Sequence, residues 1–318
     1  MNFSQDFFLK HRLVVMKLSR DFLVAETERQ LRTIDYYVEK FSVSRGTIQA
    51  AIQFLIDKGC IATQFRGHLG TYLLAKDIDK LWTFTGIGTL TGAMPIPLDT
   101  RASGFATGIC DCMRAGNIPF NCVFVQGSRT RVNGLLQGKY DFIIATRLTE
   151  KVLHGKFENI ETVMDLPGCQ YTGGYVLLFK DPVQPDVTDG MTAALDPTSV
   201  DQEHLMKAVC KNRKNIKLLK TPSFLNTSVS ITSGESDVTV TTTAVANSLG
   251  PGYQTRIKKI QLPGYTKEED IERMGIPVVF FLKDNYGLDI ILKRVLRAGI
   301  ISNSQKNVIT GARPPNYY

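Results

Sequence analysis

Apolar residues in the first quarter of the chain recur at helical spacing. Val14, Val15, Leu18, Phe22 and Leu23 predict a helix over residues 4–24. Ile34, Val38 and Phe41 predict a shorter one over 34–41 behind Thr33, whose hydroxyl suits an N-cap. Ile48, Ala51, Ile52 and Leu55 form a third stripe at i, i+3, i+4 and i+7, with Ser44 placed to cap it. Then CIATQFRGHLGTYLLAKD alternates in part, as two short strands around a turn from Gly67 to Gly70. Helix, helix, short turn, helix and hairpin is the order of a winged helix-turn-helix. In that arrangement the helix after the turn enters the major groove and the hairpin lies against backbone or minor groove.

After Asp77 the pattern changes to strands alternating with helices. WTFTGIGTL reads as a strand, Gly104 to Arg114 as a helix, FNCVFV as a strand, Ser128 to Gln137 as a helix and YDFIIAT as a strand. The theme returns with GYVLLF, NIKLLK, a helix from Phe224 to Ser233, SDVTVT, PVVFFL and a helix from Leu288 to Leu296. Leu135-x-x-Gly138-x-x-Asp141-Phe142-x-Ile144 is matched by Ile231-x-x-Gly234-x-x-Asp237-Val238-x-Val240, displaced by 96 residues at every position. Cys122 to Val125 and Leu218 to Thr221 keep that displacement. Two similar α/β lobes in tandem suit a hinged binding domain that closes on a ligand. The expected division is a head over residues 1–77 and a bilobed domain over 78–318. Lobe I takes about 78–150 and 275–318, lobe II about 172–270.

The exposed side of the third helix would carry Arg45, Gly46, Gln49 and Gln53, short or amide groups with few full charges. Gln can pair bidentately with adenine and Arg with guanine, and the helix N-terminal amides suit a phosphate. Arg45, Thr47, Gln49 and Gln53 are therefore the expected base or backbone readers. Ser44 stands at the helix start, and Arg32, Thr33, Arg66 and His68 are expected phosphate or groove contacts. Over Leu31 to Gly59 the order L-R-T-I-D, F-S-V-S-R-G-T-I-Q, A-I, L and K-G resembles the DNA-binding head of GntR-type regulators, as does the wing Gly67-x-x-Gly70-Thr71. Gln49 stands where that family commonly has Arg, which weakens a phosphate contact there and leaves a base contact open.

Charge agrees with a polyanionic partner. The 318 residues carry a formal net charge of +8. Residues 1–75 hold 10 Lys and Arg against 7 Asp and Glu, an excess of 3, so the positive charge is not confined to the head. No apolar run reaches membrane-spanning length, and MNFSQDFFLKHR lacks the features of a secretion signal. A soluble, cytoplasmic protein is expected. The six cysteines (Cys60, Cys110, Cys112, Cys122, Cys169 and Cys210) form no C-x-x-C pair and have no His at zinc spacing, so reduced thiols are expected.

Catalytic and cofactor chemistry finds little support. Gly86-Ile-Gly88-Thr-Leu-Thr-Gly92 has the wrong spacing for a dinucleotide loop, and prolines follow where its helix should start. Gly134-Leu-Leu-Gln-Gly138-Lys139 is one residue short of a phosphate loop. The four histidines lie in no motif. No cofactor, no metal and no enzymatic activity are expected. In an α/β sheet a ligand is favoured at the carboxyl ends of the strands. That selects Thr89, Thr91 and Met94 after the first strand, Gly127, Ser128, Arg129 and Arg131 after the second, and Thr146 and Arg147 after the third. Hydroxyls and arginines at one sheet edge suit an anion. Tyr171-Thr-Gly-Gly-Tyr175, at the crossover to the second lobe, is open to two readings, a wall or hinge of that site or a structural turn.

GAMPIPLDT, the FATGI helix, IPFNCVFVQGSRTRVNGLLQGKYDFIIATRLTE and the terminal PPNYY resemble YhfZ-type proteins, over essentially residues 10–318. The resemblance implies an α/β chain with an N-terminal winged helix-turn-helix followed by a bilobed type II periplasmic-binding-protein-like domain. It also implies a transcription regulator. Thr146-Arg147-Leu148 differs from that family's Ser-Arg-Leu by a hydroxyl-retaining change. The expectation is a DNA-binding regulator, acting as a homodimer on duplex DNA and controlled by a small anionic effector. An enzyme on the same scaffold is the alternative.

Overall fold

The structure, a computed structural model, describes residues 3–249, 256–259, 273–285 and 287–318. Two compact units emerge: residues 1–89 with 285–294, and residues 90–284 with 295–318. The parts of the expected second lobe at 250–255 and 260–270 lie outside the described residues.

In the first unit α1 (Phe3–Val24), α2 (Ile34–Phe41) and α3 (Arg45–Asp57) surround a core of Leu18, Phe22, Leu23, Tyr37, Ile48, Ala51 and Leu55. Both expected caps form. The Thr33 hydroxyl accepts from the Tyr36 amide at 3.2 Å, and Ser44 accepts from the Thr47 amide at 3.2 Å. The α2 side chain that becomes fully buried is Tyr37, with Ile34, Val38 and Phe41 only half-buried around it. The wing is β2 (Ile61–Phe65) paired antiparallel with β3 (Thr71–Lys76). A two-residue strand absent from the sequence reading, β1 (Arg29–Gln30), completes the order β1-β3-β2. Lys76 closes α1, its Nζ donating to the Leu23 and Ala25 carbonyls at 2.5 and 2.7 Å.

WTFTGIGTL is not a strand. Its first residues belong to α4 (Ile78–Phe84), which Asp77 caps by accepting from the Lys80 amide, and which buries Leu81 and Trp82. Aromatic and β-branched content favours a strand locally, but the cap and burial on neighbouring helices override it. The strand that follows, β4 (Leu90–Met94), starts later and belongs to the second unit.

The second unit contains two five-stranded sheets of one topology. Lobe I has β4, α5 (Thr100–Ala115), β5 (Phe120–Phe124), α6 (Ser128–Leu136), β6 (Phe142–Thr146), α7 (Arg147–Leu153) and β7 (Ile160–Asp165). Lobe II has β8 (Tyr175–Phe179), β9 (Thr192–Leu195), α8 (Val200–Cys210), β10 (Lys217–Lys220), α9 (Phe224–Thr232), β11 (Val238–Thr242), α10 (Thr243–Ser248) and β12 (Arg256–Lys259). The chain returns to lobe I through β13 (Pro277–Leu282), then forms α11 (Leu288–Val295), most of which is counted with the first unit, and α12 (Ala298–Ile309) of the second. The strand orders β5-β4-β6-β13-β7 and β10-β9-β11-β8-β12 correspond strand for strand. In each sheet the fourth strand runs antiparallel to the third, β13 to β6 and β8 to β11.

The displacement of 96 seen in the sequence is the displacement of the elements themselves. α6 and α9, and β6 and β11, begin and end 96 residues apart. The acidic residue that opens each third strand makes the same brace. Asp141 accepts from the Thr91 amide at 2.7 Å, and Asp237 accepts from the Thr192 amide at 2.7 Å.

Lobe I is sealed by α12 lying on α5. A Cβ at Gly104 or Gly108 would stand 2.7 or 2.6 Å from the α-carbons of Gln305 and Ile301, so glycine sets how closely the two helices approach. The carboxyl-terminal tail packs on the same helix. Arg313 donates two hydrogen bonds to Asp111, at 2.7 and 3.0 Å, and Ser304 donates a third at 2.6 Å. Burial alone would push the Asp111 carboxyl up, but these donors together hold it below its ordinary value.

Two outcomes are expected. Gly108→Ala must force the helices apart and should cost about 1–3 kcal/mol in urea denaturation. Because the folded-state value of Asp111 is depressed, its contribution is complete above the unfolded value of about 3.9 and is lost as pH falls through the folded value. Asp111→Asn should therefore lower stability at neutral pH and flatten the acid limb of the stability profile.

Candidate functional site

A cleft enclosing about 120 Å³ lies between the lobes, at the carboxyl ends of the parallel strands. Lobe I contributes Pro95 and Ile96 after β4, Gly127 and Ser128 after β5, and Arg131 on α6. Lobe II contributes Ser199 and Asp201 at the start of α8, Phe224 at the start of α9, and Thr242 at the end of β11. Tyr171 and Tyr175 form a wall at the crossover between the lobes.

Arg131 is buried. Its Nε donates to the Ile144 carbonyl at 2.9 Å and its Nη1 to the Val125 carbonyl at 2.7 Å. Burial disfavours its charged form. Asp201 is buried too and accepts three hydroxyl hydrogen bonds: from Thr146 at 2.6 Å, Thr149 at 2.7 Å and Tyr175 at 2.6 Å. Two of those donors come from lobe I and meet the first turn of α8 in lobe II. Burial, then the Asp201 charge, pushes the Tyr175 phenol well up, so it stays a hydrogen-bond donor at neutral pH. The same junction holds Ser128 Oγ, which accepts from the Val200 amide at 3.1 Å.

The expected ligand residues separate into three groups. Gly127, Ser128 and Arg131 line the cleft. Thr146 stands behind the wall, capping α7 and fixing Asp201. The others do not reach the cleft. Thr89 and Thr91 precede or open β4 and so lie at the amino end of the sheet, a consequence of the misplaced first strand. Met94 ends β4 but is 1% exposed, within the sheet. Arg129 points to lobe II, pairing with Glu203 at 2.8 Å and donating to the Pro197 carbonyl at 3.2 Å. Arg147 is held by Asp165. Asp201 and Phe224 line the cleft but were not among the expected ligand residues. Phe224 and Thr242 could have been found by adding 96 to Ser128 and Thr146, but Asp201 has no such signal.

In the head, Arg45, Gln49 and Gln53 are exposed on α3, and Arg66 and His68 on the wing. Arg45 meets Asp35, Gln53 donates to Asp57 at 2.8 Å, and Arg66 stacks over Tyr72 at 4.3 Å. Arg32 lies over the Tyr36 ring at 5.4 Å. Ser44 and Thr47 hydrogen-bond each other at 2.8 Å, and Thr33 is committed to its cap. Among the described residues no group of three or more His, Cys, Asp or Glu is placed to hold a metal, and no helix is long and apolar enough to cross a membrane. All six cysteines are free thiols.

Residues 77–317 match the YhfZ C-terminal domain family, and residues 28–73 match a helix-turn-helix domain. The chain is 26% identical to the YhfZ protein of Escherichia coli (strain K12) over 312 residues, 98% of this chain and 99% of that one. The crystal structure of YhfZ from Shigella flexneri superposes with a TM-score of 0.61 at 21% identity, covering 76% of this chain and 98% of that one. The periplasmic VFT2 domain of BvgS from Bordetella pertussis gives 0.51 at 15% identity, over 74% and 97%. At those identities the two structures speak to the fold alone, a binding-protein-like pair of lobes.

The three hydroxyls on Asp201 generate a prediction. Tyr175→Phe should cost about 1–3 kcal/mol by removing one donor to a buried carboxylate. Asp201→Ala should cost more, since it leaves Thr146, Thr149 and Tyr175 without their acceptor. Urea denaturation that ranks them the other way would place the junction elsewhere.

Proposed function

Because this chain belongs to the YhfZ family, joining a helix-turn-helix head to a binding-protein-like domain, we propose that it is a DNA-binding transcription regulator controlled by a small metabolite. The metabolite is held between the lobes by its anionic group. One observation supports this reading above the others: a single chain pairs an exposed amide- and arginine-bearing helix face with a cleft that buries an arginine. Arg45, Gln49 and Gln53 are the candidate groove contacts, and Arg32, Arg66 and His68 the candidate backbone contacts. The head is GntR-like and works in the cytoplasm, where duplex DNA is found. A homodimer on a near-palindromic operator would roughly double the contact set. Effector binding that changes the spacing of two heads needs a coupling of only about 1–3 kcal/mol to act as a switch.

The test begins with a duplex selected by the protein from random sequence. Retention of that duplex should fall more than about tenfold between 50 and 200 mM salt, as counterion release requires. Arg45→Glu should abolish retention while leaving the melting temperature within about 1 °C, because an exposed pair such as Arg45 with Asp35 contributes little to stability. Unchanged affinity in the variant would remove α3 from the groove.

A further inference from the structure

The two lobes are copies, so each position in one has a control in the other, and the copies differ where the cleft is polar. In lobe II the Val240 carbonyl is served by a neutral amide. Gln202 Nε2 donates to it at 2.5 Å and also to Thr227 at 3.0 Å. In lobe I the corresponding carbonyl, Ile144, is served by Arg131, which occupies the place of Thr227. A fold that needs only a donor there can use an uncharged side chain. Lobe I instead buries a guanidinium, at 4% exposure, against the cost of desolvating it.

The helix starts differ in the same sense. α9 is capped by the Ser223 side chain, which accepts from the Asn226 amide at 3.4 Å. α6 has Gly127 in that place, with φ of 78° and no side-chain cap. A Cβ there would stand 2.2 Å from Thr198 Oγ1, so no capping side chain fits. The Arg129 amide is taken by the Thr198 carbonyl at 2.9 Å, whereas the Ser128 amide makes no hydrogen bond among the described residues. Nor does Arg131 Nη2, or the hydroxyl of Tyr171, a residue 8% exposed on the cleft wall. Burial pushes the Tyr171 phenol up, which keeps its proton in place.

Three donors that make no hydrogen bond among the described residues therefore belong to residues lining the cleft: the Ser128 amide, Arg131 Nη2 and Tyr171 OH, the last two near enough to interact electrostatically. The apolar part of the lining is Ile96, Leu98, Ala244 and Phe224, the last holding in lobe II the place of Ser128. Two carboxylates also line the walls. Asp99 caps α5 by accepting from the Ala102 amide, and Asp201 is filled by its three hydroxyls, so both are already compensated. They would repel a second negative charge. A space of about 120 Å³ is smaller than the roughly 150 Å³ of a cavity that accepts benzene.

The geometry points to a small monocarboxylate with an uncharged apolar tail as the effector. Its carboxylate lies against the start of α6, Arg131 and Tyr171, and its tail against Phe224. This rests on the effector-binding reading above and names its ligand class.

The test uses the full chain and four probes in a thermal-shift assay: butanoate, 2-aminobutanoate, succinate and inorganic phosphate, each at several concentrations up to tens of millimolar. Butanoate should raise the melting temperature by about 2–4 °C near ten times its dissociation constant, with the other three giving less than half of that. Arg131→Gln, which adopts the lobe II solution, should fold and lose the butanoate shift. Tyr171→Phe deletes an unpartnered hydroxyl, so it should fold as the parent does and weaken butanoate at least fivefold. Succinate or phosphate matching butanoate would overturn the single-charge assignment. A stronger shift with 2-aminobutanoate would place an ammonium on Asp99 or Asp201 and overturn the uncharged tail. A full butanoate shift in Arg131→Gln, or no shift from butanoate in the parent, would overturn the site. Duplex retention measured on the same preparations separates the two readings, since its loss would sink the regulator and leave the ligand class standing.

Discussion

The cleft exists because one helix start is shared between two lobes. The first turn of α8 belongs to lobe II by chain order, yet its Asp201 is filled from lobe I by Thr146 and Thr149, and its Val200 amide donates to Ser128. Arg129 adds a contact to Glu203 on the same helix. A buried carboxylate is tolerable only when its lone pairs are met. Asp201 is therefore a constraint as well as a contact: it fixes where α6 and α7 stand relative to α8, and with them both walls of the binding space. Any opening of the cleft must either carry this junction along as a hinge or break it at considerable cost. The hold of one lobe on the other at this edge of the cleft is thus concentrated at a few hydroxyls.

Duplication gives the second unit its economy. Matching sheets and matching Asp braces at Asp141 and Asp237 show that both lobes solve the same folding problem in the same way. Folding requirements are met twice over, so a departure from the repeat needs another cause. Arg131 for Thr227 and Gly127 for Ser223 are such departures, and both face the cleft. Phe224 for Ser128 is the reciprocal change. The result is a lining in which the two copies carry different side chains at equivalent positions of a common frame.

Much of the fold was legible because periodicity and capping act locally. Thr33 and Ser44 behave as their hydroxyls and spacing suggest, and the wing follows its glycines. Residues 82–90 misled because a local aromatic run was weighed without its neighbours, whereas the Asp77 cap and the burial of Leu81 and Trp82 decide the outcome. β9, with its Thr-Ala-Ala-Leu sequence, lacks the bulky β-branched run that announces a strand. For the site, the carboxyl-end rule pointed to a loop that does line the cleft but could not choose among its arginines. Residues two apart on a helix point about 200° apart, so Arg129 and Arg131 cannot both face the cleft. Asp201 was invisible for another reason. Its partners Thr146 and Thr149 lie more than fifty residues away, and no local pattern links them.

The same bookkeeping of hydrogen bonds separates the residues of the head. Ser44 and Thr33 spend their oxygens on caps, and Thr47 is bound to Ser44, so these three shape the helices rather than offer free groups. Gln53 is engaged with Asp57 on its own helix, and Arg66 with Gln64 and the Tyr72 ring. Among the described residues Arg45 has only the exposed Asp35 carboxylate as side-chain partner, and such a pair is worth at most about 1 kcal/mol, so exchange for a phosphate or a guanine edge would cost little. The Gln49 side chain is exposed and makes no hydrogen bond among the described residues. An amide with neither partner nor competing charge has its donor and acceptor both available, which is the requirement for bidentate pairing with adenine. Arg45 and Gln49 sit four residues apart on one face of α3, so a single approach of that face presents both. The unusual Gln at that position is where discrimination between sequences, as opposed to attraction to any duplex, would originate.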